Sequence, residues 1–420
     1  LQYKREFKNN EDHVLLMSAL GNFFGKDLNS EFENVYEVGN EDIEYQRTET
    51  HFYEGDYTFK LDYTNPIIDQ ITLELGSMYE IQDVGNEYEV SDLINGDWVI
   101  DSGLTNNFEF DQKVLGVYGT GSYEQGNWGV KLGLRVENTD LTTLLTTTNE
   151  ENIQNYTNLF PTIHTSYKVT DFVSFQAGYS RRIFRPRLWD LNPFFNIRNN
   201  FNIRMGNPNL QPEFANSYEL TGIFVLEKAS FNTSLYHLHK TDVIERVYFF
   251  EDNVNIRMPV NVGSERKYGV ELNGKYNPLQ WLSINGDFNY GYFVRLGTFE
   301  EQDFDFEGDQ WSTRLNSKFK LPAKFEVELT GNYRSRYKTV QGVVSGYAFA
   351  DIAVRKKLWE GKMIINFGVR DIFASRIRES IVEQPDFSTY DFSQRGRFIT
   401  LGLSYSFGKG EAMTYSGRRR

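Results

Sequence analysis

Apolar and polar residues alternate along most of this chain. Ile399, Leu401, Leu403, Tyr405 and Phe407 occupy one set of alternate positions, and Thr400, Gly402, Ser404 and Ser406 the other. Val130, Leu132, Leu134 and Val136 interleave with Lys131, Gly133, Arg135 and Glu137 in the same way. So do Val173, Phe175, Ala177 and Tyr179 with Ser174, Gln176, Gly178 and Ser180. Leu282, Ile284, Phe288 and Tyr290 interleave with Ser283, Asn285, Asp287 and Asn289. Successive side chains of a β-strand point to opposite faces, so each segment predicts a strand with one apolar and one polar wall.

A two-layer sandwich would also alternate, but two features separate it from this chain. The segments are long, whereas soluble strands average about 5–6 residues. The connections also sort by length. Short ones are expected at 9–12, 65–69, 125–127, 169–171, 228–230, 277–280, 321–323 and 359–361. Longer polar ones are expected near 25–44, 89–105, 139–156, 185–212, 241–255, 297–307, 338–345 and 374–395. Tight turns on one side and long loops on the other are the habit of outer-membrane barrels. The pattern predicts an all-β fold, a transmembrane antiparallel up-and-down β-barrel with roughly seventeen strands. Val173, Phe175, Leu282, Ile284, Leu401 and Leu403 are expected to face lipid. Lys131, Arg135, Glu137, Ser174, Asn285 and Asp287 are expected to face the lumen.

Bacterial single-chain barrels have an even strand number. An odd count therefore predicts that further strands precede residue 1 in a longer parent. Residues 1–407 are expected to be barrel, incomplete at its N-terminal side, and 408–420 a polar periplasmic tail ending in Gly-Arg-Arg-Arg.

Composition narrows the classes. No run of 18 apolar residues occurs, and mean hydropathy is −0.53, which excludes helical membrane spans. Strands escape that test, because only alternate residues meet lipid. Cysteine is absent, which removes disulfides, thiolate metal sites and cysteine nucleophiles. A net charge of −14 argues against a nucleic-acid partner.

Catalytic and metal constellations are weak. His237 and His239 alternate on one strand face, expected as a lumen-facing pair, with no third metal ligand placed nearby. Ser234 and His237 point to opposite walls and make no nucleophile pair. The acidic stretch 300–307 lacks the spacing of a calcium loop. No cofactor, metal or catalytic residue is expected, and the chain is not read as an enzyme.

Two motifs carry more. Thr400, Gly402, Tyr405 and Phe407 resemble the barrel-assembly signal of outer-membrane proteins, an edge strand that can be read by strand addition. The second region is 179–222. It contains Arg181, Arg182, Arg185-Pro186, Leu191-Asn192-Pro193-Phe194 and Gly206-Asn207-Pro208-Asn209-Leu210-Gln211-Pro212-Glu213, then Tyr218-Glu219-Leu220. Asn261-Val262-Gly263, Tyr268-Gly269-Val270-Glu271 and Asn366-Phe367-Gly368-Val369-Arg370-Asp371 extend the pattern. Together these resemble the TonB-dependent receptor family, in particular its outer-membrane barrel subgroup common in Bacteroidota. The resemblance covers essentially the whole chain and is densest from 167 to 407.

It implies a parent barrel of about 22 strands, an N-terminal plug inside it, and a coupling box gripped by a TonB-type energy-coupling protein. Neither plug nor box is found in this sequence, and their presence or absence upstream separates an importer from a structural barrel. The implied function is uptake of a scarce nutrient through a plug-gated barrel in the Gram-negative outer membrane, loops outside and C-terminus in the periplasm. Outer-membrane lipid is an implied partner, and a surface lipoprotein or other outer-membrane subunits are further candidates. A structural barrel subunit with no substrate of its own is the alternative. From the residues alone, Arg185, Arg187, Trp189, Asp190 and Phe194 are the candidates for ligand or plug contact. They sit in a proline-interrupted stretch too apolar for a solvated loop.

Overall fold

The computed structural model describes residues 1–7, 10–35, 44–193, 197–199, 202–251, 254–299, 302–385 and 387–407. The tail after 407 lies outside them. The long strands are β1 (Gln2–Phe7), β2 (Asn10–Asn34), β3 (Glu44–Ile68), β4 (Ile71–Ile94), β5 (Asn106–Gln125) and β6 (Trp128–Leu145). They continue as β7 (Glu150–Lys168), β8 (Val173–Phe184), β9 (Glu213–Val225), β10 (Ala229–Thr241), β11 (Ser264–Leu279) and β12 (Leu282–Leu296). The last are β13 (Phe306–Leu321), β14 (Phe325–Arg334), β15 (Tyr347–Leu358), β16 (Met363–Arg370) and β17 (Phe398–Tyr405). With the short strand Asp97–Ile100 they belong to one 18-stranded sheet. Neighbours in sequence pair antiparallel from β1 to β6 and from β11 to β17, and β8 pairs with β9 across the 185–212 segment. Seventeen long strands are what the alternation predicts.

The short connections fall where they were expected, among them 69–70, 126–127 and the single 3-10 turns Pro322–Lys324 and Trp359–Gly361. Several long ones do not. Residues 25–34 and most of 89–105 and 139–156 are strand, while 36–43 lie outside the described residues: β2 and β3 each run 25 residues, and only 146–149 separate β6 from β7. Within 89–105, Asn95 and Gly96 take φ of 53° and 95° and turn the chain into the short strand, as an Asn-Gly hairpin requires.

The reason is visible in β6. Leu132, Leu134 and Val136 are exposed on one face. Asn138, Asp140 and Thr142 continue that same face with polar groups, while Thr139, Leu141, Thr143 and Leu145 on the opposite face are buried. The strand runs on past its apolar belt and only the surroundings of its outer face change. Mean hydropathy there resembles a loop although the backbone remains paired.

The chain divides into two compact units. One comprises Leu1–Ser166, Gly178–Ser217 and Lys240–Gly263. Its core gathers Phe52, Val84, Phe108, Phe110, Leu141 and Leu145 from the polar-side wall of β3 to β6, together with Leu188, Leu191 and Leu210 from the 185–212 segment. It also holds a four-stranded sheet made of Ile197–Asn199, Asn202–Arg204, Ile244–Glu251 and Val254–Asn261.

The other unit comprises Tyr167–Ala177, Tyr218–His239 and the chain from Ser264 onward. Its two walls are sorted by register. Leu282 stands opposite Phe319, Phe319 opposite Val327, Val327 opposite Val354, Val354 opposite Phe367 and Phe367 opposite Leu401. Asn285 stands opposite Asn316, whose amide donates to Glu328 and Thr330 at 2.6 and 2.8 Å. His237 departs from expectation. It shares the apolar wall with Phe231 and Leu235 and stacks between Tyr218 and Tyr268, with ring centroids at 5.8 and 4.4 Å. An imidazole has an apolar body and a polar tip, which suits the aromatic belt at a membrane interface.

Candidate functional site

The 185–212 segment cannot join the sheet, because Pro186, Pro193, Pro208 and Pro212 offer no ladder donor. Its fold is built from local bonds. Arg187, extended at φ −97°, leads into one helical turn, Leu188–Leu191. The backbone N–H groups of Asp190 and Leu191 donate to Arg187 O at 2.8 and 3.2 Å. The Asp190 carboxylate accepts from Arg187 N at 3.3 Å, an acid capping the positive end of the turn. Leu188 and Leu191 thereby enter the core.

The motif from Gly206 to Glu213 closes over this turn. Gly206 N donates to Asn192 O, and Asn207 N to Asp190 O, both at 2.7 Å. A Cβ on Gly206 would lie 2.6 Å from Asn192 O, so only glycine allows the two backbones to approach. Leu210 is fully buried. From β7, Asn152 donates to Pro208 O at 2.8 Å and Gln154 to Leu210 O at 3.2 Å. Asn261 exchanges two bonds with the backbone of Gln211, at 2.8 and 3.0 Å. Glu213 pairs with Lys240 at 2.9 Å and accepts from Ile244 N at 3.2 Å.

The candidate residues divide in two. Arg185 and Asp190 are held by protein partners. Arg185 donates to Glu137 on β6 and, at 3.0 and 3.1 Å, to Thr139. Glu137 is buried and also accepts from Arg135, so one carboxylate joins two guanidinium groups. Asp190 is buried and pairs with Arg246 at 3.0 Å. Burial raises the phenol of Tyr156, and the charge of Arg185 partly offsets it. Arg187 and Trp189 point the other way in availability. Arg187 is exposed and forms no ion pair among the described residues. Trp189 stacks on Phe52 at 5.0 Å yet stays 42% exposed. Phe194 lies outside the described residues.

Sequence reasoning did not find the partners Phe52, Arg246, Asn152, Gln154 and Asn261. Phe52, Arg246, Asn152 and Gln154 are unremarked residues on distant strands; Asn261 stood in a motif, but no spacing signals a contact that tertiary folding creates. Glu137 was assigned to the polar wall, but not to Arg185. Among the described residues, no group of three or more His, Asp or Glu could hold a metal ion.

The terminal-strand residues also separate by wall. Thr400 and Gly402 stand opposite Gly368 and Asn366, and Thr400 Oγ1 donates to Gly368 O at 3.4 Å. Tyr405 and Phe407 lie edge to face at 4.7 Å, with Trp359 beside Tyr405 at 6.0 Å.

A profile of the outer membrane protein beta-barrel family matches residues 5–405. Solved structures share the fold. The siderophore receptor PiuA from Acinetobacter baumannii superposes with a TM-score of 0.67 at 13% identity, over 96% of this chain and 63% of that one. The ferric citrate transporter FecA in its unliganded form gives 0.65 at 14% identity, over 96% and 60%. The ferric yersiniabactin uptake receptor FyuA from Yersinia pestis gives 0.56 at 12% identity, over 94% and 61%. The chain therefore spans about three-fifths of the length of these proteins. Comparison with curated protein sequences yields no match.

Proposed function

The chain belongs to the outer membrane protein β-barrel family, and from that premise we propose that it forms the barrel wall of a TonB-dependent receptor taking up a scarce nutrient. The apolar wall meets lipid and the polar wall lines the passage. Short turns face the periplasm and long hairpins the outside. A plug and a coupling box belong to the parent chain upstream, and a TonB-type protein supplies the drive. The motifs between 179 and 222 favour the subgroup common in Bacteroidota.

One observation carries the binding element: the 185–212 segment is fastened through Arg185 and Asp190, while Arg187 and Trp189 are exposed. A ligand suited to them has an anionic group for the guanidinium and a flat apolar part for the indole. The likeness to a siderophore receptor and a ferric citrate transporter supports a nutrient chelate.

The test is uptake and binding by the full-length protein. Arg187→Ala should weaken capture about tenfold or more, the value of one charge-assisted hydrogen bond, with the barrel still folded. Unchanged capture would remove Arg187 from the site. A full-length reading frame without plug or coupling box would favour the alternative, a structural subunit with no substrate.

A further inference from the structure

A groove of about 540 Å³ opens on the apolar wall of β13 to β15. Thr313, Leu315, Gly331, Tyr333, Ala348 and Ala350 line it, and Phe373 stands at its rim, 70% exposed. Side-chain size explains the hollow. Leu315 is opposite Gly331 and Gly331 opposite Ala350; Thr313 is opposite Tyr333 and Tyr333 opposite Ala348. Large groups flank three positions that carry a methyl or nothing. A Cβ added to Gly331 would meet no atom within 4 Å, so this glycine borders open space. The groove is continuous with the apolar row that includes Leu329 and Ile352, the wall that the proposed function turns toward lipid.

Charge stands at one end of it. Ile372 N donates to Ala350 O at 2.8 Å, and Phe398 pairs with Arg370. The start of β17 is thus two strand spacings from Ala350, about 10 Å. Arg395 and Arg397 are exposed there, and neither forms an ion pair among the described residues. The adjacent acid, Asp371, is occupied within its own turn, accepting from Ser375 N at 2.9 Å and Arg376 N at 3.0 Å. In a chain of net charge −14, two exposed guanidinium groups without an ion pair among the described residues, two strand spacings from an apolar groove, are a distinct feature.

The geometry points to a binding site for a phosphorylated lipid of the outer leaflet, an acyl chain in the groove and a phosphate over Arg395 and Arg397. Guanidinium binds phosphate through paired N–H donors, and hydrocarbon fills an apolar hollow that faces lipid. The site rests on the outer-membrane reading and on the orientation that places the turns Pro322–Lys324 and Trp359–Gly361 in the periplasm.

The experiment is lipid retention by the full-length protein in detergent, read by native mass spectrometry. The probes are diphosphorylated lipid A, its dephosphorylated form and inorganic phosphate. The protein should retain the diphosphorylated lipid at least tenfold better than the dephosphorylated one. Gly331→Leu, which fills open space, and the pair Arg395→Gln with Arg397→Gln should each lower retention at least tenfold, with the heat-modifiable gel shift of the folded barrel unchanged. Equal retention in wild type and either variant overturns the site, as does displacement of the lipid by an equal concentration of inorganic phosphate. A protein that stays soluble and folded without detergent would sink the outer-membrane reading itself, which is a separate failure.

Discussion

Arg185 and Glu137 pair behind the 185–212 segment, with Arg135 closing on the same carboxylate from the neighbouring inward position of β6. The contact joins the first residue of an irregular segment to the wall on which that segment lies. It also explains why β6 carries an acid at the position where its outer face turns polar.

Breaking this pair should release the segment. Glu137→Gln leaves two guanidinium groups with one weaker acceptor. Removing one partner of a buried pair costs about 3–5 kcal/mol, and partial exposure of Arg185 places this one near the low end. Hydrogen exchange at 186–193 should accelerate strongly while that of β12 to β15 stays the same. Uniform protection in the variant would mean the pair fastens nothing.

Gly206→Ala should disturb the same segment by a different route. The added methyl collides with the Asn192 carbonyl, and relief requires the two backbones to separate. Overpacking of this kind costs about 1–3 kcal/mol. Loss of protection at the amides of Gly206 and Asn207 is the expected reading, and wild-type protection would contradict the close approach.

The assignment of walls can be tested on the last strand. Leu401 is 77% exposed on the apolar wall, and Ser404 lies on the other. An arginine at the lipid midplane costs about 2–4 kcal/mol. Leu401→Arg should therefore impair folding into lipid vesicles far more than Ser404→Arg, and equal effects would reverse the orientation.

Alkali should weaken the first unit. Burial raises the phenols of Tyr88 and Tyr156 above the ordinary tyrosine range. Their folded pKa exceeds the unfolded one, so the associated stability is present below about pH 10. It is lost as pH rises through the folded values. The denaturant midpoint of the first unit should fall as pH rises above about 10, and Tyr156→Phe should reduce that fall. An unchanged slope in the variant would remove Tyr156 from the effect.

The sequence by itself determined the strands and their walls. Period-two alternation reports directly which residues share a face, and it needs no knowledge of partners. Leu401 beside Leu403, Lys131 beside Arg135 and the prolines that exclude 185–212 from the sheet were all legible for that reason. It misread 25–34 and most of 139–156 as loops, because above the apolar belt both faces of a paired strand can carry polar groups. It misplaced His237, since imidazole suits either wall and only the rings of Tyr218 and Tyr268 decide. The candidate segment divides the same way. Its existence followed from its prolines and aromatics. That Arg185 would be held by Glu137, Asp190 by Arg246 and Trp189 by Phe52, leaving Arg187 open, was decided by tertiary structure alone. Those contacts join residues 48 to more than 130 positions apart in the chain, across which no local pattern carries information.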